Sequence, residues 1–219
     1  EKKTRPGVYF RYENYGTPPI AGVDDGKCAA VFRSNWGPVG QAVVLEQSED
    51  ITKKYGDGGE NGTTAVPMEQ FKGGARLVYA IRLGNGGTQG MYNIEDEQSE
   101  TVLRLILKYP GSRKLSLTIR PTLVDENTTE LLIIEGTEQL EKLTFDNTSN
   151  SVTALLEAYQ SKGSDYFTLT KVKDSSEKLQ TIDQKEIEGG TDPTVNVAAY
   201  SAAFEVLEAY RWNVLSLDT

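Results

Sequence analysis

Histidine is absent from the 219-residue chain, and cysteine occurs once. Without histidine there is no Ser-His-Asp or Cys-His catalysis, no His-assisted metal site and no imidazole pH switch. A single cysteine permits no internal disulfide, which argues against a bridge-stapled extracellular module. Long apolar runs are missing as well, none approaching the roughly 18–20 residues of a membrane span. Glu1-Lys2-Lys3-Thr4-Arg5-Pro6 lacks the apolar stretch of a signal peptide. Basic residues are the scarcer charge, 23 Lys and Arg against 32 Asp and Glu for a net −9, which argues against nucleic acid as the main partner. With 37% hydrophobic residues and a mean hydropathy of −0.45, the composition is that of a soluble folded protein with enough chain to bury a core.

The charge that is present is unevenly placed. Residues 1–85 carry +1, residues 86–190 carry −7 and residues 191–219 carry −3. Within the first segment, Lys2, Lys3, Arg5 and Arg11 stand against Glu1, a basic arm ahead of an acidic body. Such a dipolar chain favours head-to-tail attraction between copies.

Residues 5–14, aromatic and β-prone after Pro6-Gly7, read as a strand. Cys28–Ser34, Gln41–Glu46 and Ala75–Leu83 read as further strands, with a turn at Trp36–Gly40 and a helix starting at Ser48-Glu49-Asp50. Gly56–Thr64 is a loop. Beyond Gly84-Asn85-Gly86-Gly87 the texture changes to period-two alternation, in Thr101–Tyr109 and Lys114–Arg120 with Tyr109-Pro110-Gly111-Ser112 as the turn joining them. Thr129–Glu135 and Glu138–Phe145 pair across Gly136-Thr137. Ser151 caps a helix with Val152, Leu155, Leu156 and Tyr159 on its apolar stripe, and Asp165–Val172 is another strand. After Gly189-Gly190-Thr191-Asp192-Pro193, Val197, Tyr200, Phe204 and Leu207 mark a helix running to about Arg211. Trp212–Leu217 then begins what reads as a buried α/β strand. A helix feeding an apolar strand normally continues into a further layer, so the chain is expected to be part of a longer protein.

The expected fold class is therefore mixed α+β, an incomplete α/β body interrupted by a mostly β insertion, either a sandwich or a small barrel. The expected divisions are an N-terminal arm (1–14), the first part of the α/β body (15–86), an inserted β-rich domain with one helix (87–190), and a helix and strand returning to the body (191–219). Gly84, Gly86, Gly87, Gly189 and Gly190 are the candidate domain hinges.

No motif assembles a catalytic or cofactor site. Gly84-Asn85-Gly86-Gly87-Thr88-Gln89-Gly90 faintly matches a dinucleotide fingerprint, but its sixth position is Gln89 and strands follow it instead of a helix. Asp57-Gly58-Gly59-Glu60-Asn61-Gly62 lacks the third-position ligand and distal glutamate of a calcium loop. Adjacent Asp24 and Asp25 would point to opposite faces of a strand. Glu95, Asp96, Glu97 and Glu100 read as a solvated acidic surface, and Cys28, among small apolar residues, as an inert core thiol. No enzyme activity, cofactor or metal is expected.

Thr4-Arg5-Pro6-Gly7-Val8-Tyr9 followed by Glu13-Asn14 resembles the start of contractile phage tail sheath proteins, especially those of Gram-positive phages and prophages. Trp36-Gly37-Pro38-Val39-Gly40, Tyr109-Pro110-Gly111-Ser112-Arg113, Leu131–Gly136, Gly189-Gly190-Thr191-Asp192-Pro193 and the closing stretch from Ala202 to Leu215 fit the same family in order and spacing. The resemblance implies a structural subunit that polymerises helically around a tail tube and contracts to drive it through the host envelope. Family members are roughly twice as long. It also implies partners, namely other sheath subunits, the tail tube and the baseplate, and a location in the virion tail after assembly in the host cytoplasm. Neither nucleic acid nor membrane insertion is implied. In the family the N-terminal arm adds a strand to a neighbouring subunit, which maps onto Val8, Tyr9, Phe10, Arg11 and Tyr12. The alternative drawn from the residues is a β-rich surface-binding module recognising carbohydrate or a host receptor.

Overall fold

Small and β-branched residues at alternating positions make the first strand, β1 (Lys27–Phe32), a two-faced central element of an α/β layer. A computed structural model describes residues 26–123, 125, 127–148 and 150–218. In it β1 pairs in parallel with β3 (Leu77–Arg82) on one side and with β11 (Val214–Leu217) on the other. β2 (Ala42–Leu45) pairs antiparallel with β3, giving the order β11-β1-β3-β2. Cys28, Ala30 and Phe32 face a core shared with α1 (Glu49–Tyr55) and α2 (Ala65–Lys72). Ala29 and Val31 face the opposite core, built against α4 (Val197–Leu207) through Ala199, Ala203 and Leu207. Helices cover the sheet on both faces, as a largely parallel sheet requires.

The strands between β3 and α4 form two antiparallel sheets. One has the order β4-β5-β9, from Met91–Glu95, Thr101–Leu107 and Phe167–Lys171. The other has the order β10-β6-β7-β8, from Ile182–Glu186, Ser116–Pro121, Thr128–Glu135 and Glu138–Asp146. Leu103, Leu105 and Leu107 of β5, Leu117 and Ile119 of β6, Leu131 and Ile133 of β7, and Leu143 and Phe145 of β8 meet in one core. Val152 and Leu155 of α3 (Ser151–Lys162) complete it. The architecture is mixed α+β, with one mixed and two antiparallel sheets.

Several local expectations change. The Tyr109–Ser112 turn does not close a hairpin, because β5 and β6 belong to different sheets and the chain crosses between them. Ser151 is the first helical residue of α3, not its cap; Asn150 holds that place in a left-handed conformation. α4 ends at Leu207, four residues early, and half of its expected stripe holds: Leu207 is buried and Tyr200 packs on the same core, but Ala199 and Ala203 face the sheet while Val197 and Phe204 lie exposed. Alanines allow the close helix–sheet approach that Phe204 would block. Among the described residues the closing strand lies at the edge of its sheet, with Val214 and Leu217 exposed and Leu215 and Ser216 half-buried. Asp96 is buried, not solvated: its carboxylate accepts from the amides of Gln98 and Glu100 and from Ser175 Oγ.

Candidate functional site

The two connections between the mixed sheet and the β-rich segment lie side by side. Asn85 and Thr194 exchange amide-to-carbonyl bonds of 2.9 and 3.0 Å, and Thr88 and Thr191 exchange bonds of 3.2 and 3.0 Å. Met91 N donates to Glu188 O at 2.9 Å, extending the same antiparallel ribbon, and Thr88 Oγ1 donates to Gly189 O at 2.6 Å. Of the candidate hinge glycines, Gly86 and Gly189 face open space. Gly84, Gly87 and Gly190 are close-approach positions, where a Cβ would lie 2.4 Å from Pro193 Cβ, 2.8 Å from Thr191 O and 2.2 Å from Gly111 O respectively.

Beneath the ribbon lies Arg82, the last residue of β3, fully buried. Its Nε donates to Ser34 O at 2.9 Å, and its Nη1 donates to Gly37 O at 2.8 Å and to Pro110 O at 2.6 Å. Nη2 lies 3.5 Å from Asp192 Oδ1. Asp192 also accepts from Ser112 N at 2.9 Å and Ser112 Oγ at 2.6 Å. Burial pushes the Arg82 guanidinium down to about 10, while the Asp192 carboxylate works in the opposite direction. At that value it stays charged at neutral pH, and it supplies the donors for the buried Ser34 and Gly37 carbonyls and for the half-buried Pro110 carbonyl.

Trp36 crosses the same boundary. It follows the end of β1 in sequence, yet its buried ring packs in the core of the β-rich segment. Tyr109 meets it edge-on at 5.4 Å and Tyr166 stacks at 6.4 Å. Arg113, bidentate to Glu135 at 2.8 and 2.7 Å, places its guanidinium 5.7 Å from both the Trp36 and Tyr166 rings. A cleft of about 360 Å³ opens here, between Asp50, Lys53 and Lys54 of α1 and Tyr109, Asp165 and Tyr166.

A second feature lies on the far edge of the mixed sheet. Val197, Phe204, Trp212, Val214 and Leu217 are large apolar side chains left exposed along α4, β11 and their connection. A groove of about 500 Å³ is lined by Phe204, Leu207, Tyr210, Trp212 and Leu215. Among the described residues, β11 pairs with β1 and with no other strand.

The strand-addition residues Val8, Tyr9, Phe10, Arg11 and Tyr12 lie outside the described residues, as do Asp24 and Asp25. Among the described residues, no group of three His, Cys, Asp or Glu could hold a metal ion, and no helix is long and apolar enough to cross a membrane. Cys28 is buried in the core facing α1 and α2, where burial pushes its thiol pKa up. Arg82 gave no sequence signal as a functional residue, because its partners are backbone carbonyls scattered over the chain.

This three-layer sheet with a β-rich segment between β3 and α4 has known counterparts. The sheath tail protein Lin1278 from Listeria innocua superposes with a TM-score of 0.66 at 19% identity, over 87% of this chain and 39% of that one. The sheath tail protein DSY3957 from Desulfitobacterium hafniense gives 0.67 at 19% identity, over 96% of this chain and 45% of that one. The fold is shared with sheath tail proteins. In sequence, the uncharacterized protein YqbK of Bacillus subtilis (strain 168) is 22% identical over 223 residues, which span 99% of this chain. This chain spans 46% of YqbK and less than half of each sheath tail protein. No protein-family model matches it.

Proposed function

We propose that the chain is part of a structural subunit of a contractile tail sheath, acting through self-assembly with no chemistry of its own. The observation that carries this most is the fold shared with Lin1278 and DSY3957 over 87% and 96% of the chain. The segment Val8-Tyr9-Phe10-Arg11-Tyr12 is the arm that adds a strand to a neighbour's sheet, where backbone hydrogen bonds give affinity and alternate side chains give register. A head-to-tail contact that does not close produces a helix of subunits. Contraction is then a switch between two packings of that lattice, with the energy held in contacts between copies. The partners are other copies, the tail tube and the baseplate, and the place of action is the virion tail of a phage or prophage.

Electron microscopy of the intact gene product tests this. Hollow helical sleeves are expected, and removal of residues 4–14 is expected to abolish them while leaving a folded protein by circular dichroism. Sleeves that persist without the arm would exclude strand addition by it, and a protein that never polymerises would exclude the sheath role.

A further inference from the structure

We propose that the glycine-rich connections form a closed joint locked by Arg82, which holds the β-rich segment at one fixed angle to the mixed sheet. This property belongs to the single chain and stands apart from the assembly reading. Glycine runs between two folded parts ordinarily mean freedom of movement, yet here the outgoing residues 85–91 and the returning residues 188–194 are hydrogen-bonded to each other as a ribbon. Freedom at Gly86 and Gly189, which face open space, is cancelled by the pairings on either side of them.

The third strand of the joint is the Pro110-Gly111 turn. Gly111 N donates to Thr88 O at 3.3 Å, and a Cβ on Gly111 would stand 1.9 Å from Asn35 O. Arg82 therefore ties β3 and the Ser34–Gly37 turn on one side of the joint to the Pro110 turn and the returning strand at Asp192 on the other. Trp36, seated in the opposite core, prevents the parts from sliding without exposing an indole. Rotation of the β-rich segment would break the bond to Pro110 O, part the guanidinium from Asp192 and draw Trp36 from its core, so these contacts are lost together.

Spin labels at Lys72 on α2 and Thr144 on β8, both exposed, read the angle in a Cys28→Ala background. The unaltered joint is expected to give one narrow distance distribution, and Arg82→Met is expected to broaden it at least about twofold. A broad or two-peaked distribution with Arg82 in place would overturn the proposal, and so would an unchanged width in R82M. Should R82M fail to fold, hydrogen exchange on the unaltered chain still decides. The Asn85, Thr88, Met91, Thr191 and Thr194 amides are expected to exchange within about tenfold of those in β5. Exchange as fast as in open loops would sink the idea.

Discussion

Gly111 and Gly136 both take positive φ, 158° and 59°, but for different reasons. Gly136 closes the β7–β8 hairpin with nothing near its missing side chain, whereas Gly111 is pressed against the Asn35 carbonyl. Gly136→Ala is expected to cost about 1 kcal/mol, the left-handed backbone penalty alone. Gly111→Ala adds overpacking of about 1–3 kcal/mol on top. Urea titration of the two variants reads the difference, and equal midpoints would contradict the close approach. Arg82→Met orphans carbonyls at a cost of about 1–3 kcal/mol for each that stays buried. Carboxylates set the acid limb. Glu130 lies below its ordinary value because Lys142 and Arg120 donate to it, at 2.5 and 2.8 Å, and Asp96 is lowered chiefly by Ser175. A pKa lowered in the folded state gives stability that is present above the unfolded value and lost as pH falls through the folded one. Burial raises Glu141, which therefore acts in the opposite sense and gains in acid. Stability is expected to fall below about pH 4. Glu130→Gln should flatten that slope and Glu141→Gln should steepen it, as measured by thermal melts across pH.

Among elements, α4 shows how small residues decide geometry. Asn196 caps it, its side-chain oxygen accepting from Ala199 N at 3.0 Å, and Asn196→Ala is expected to cost about 1 kcal/mol in a melt. A melting temperature unchanged within error would remove the cap from the account. β5 and β6 are legible from alternation alone, because they place leucine and isoleucine at every second position over one core. The hairpin at Gly136 was equally plain. α2 was not legible: Pro67 sits in its first turn, where the missing N–H does no harm, yet it reads as a breaker. β10 buries only Ile182, carries Asp183, Lys185 and Glu186, and shifts register at a bulge, so hydrophobic period gave no signal. In α4, hydropathy marks Leu207 and Tyr200 correctly but favours Phe204 over Ala203, whereas Ala199 and Ala203 are the residues that face the sheet. The connections were seen as glycine-rich, but their pairing depends on residues about a hundred positions apart. Nothing local marks Arg82 as their common partner.

At the scale of the whole molecule, the mixed sheet and the β-rich segment share Trp36 and the Arg82 joint, while the α4–β11 face stays uncovered. The exposed apolar residues along α4 and β11 and the basic residues Lys2, Lys3, Arg5 and Arg11 fit the proposed assembly by repeated contact. Under the proposed sheath role and the proposed joint, such a subunit transmits force between neighbours without bending in its middle, and the change on contraction falls at the contacts between copies. The most direct measurement is electron microscopy of the intact gene product at a concentration where sheaths polymerise. Regular hollow sleeves that vanish on deletion of residues 4–14 are the expected result. A protein that stays monomeric under those conditions, with the arm intact, would contradict the sheath assignment.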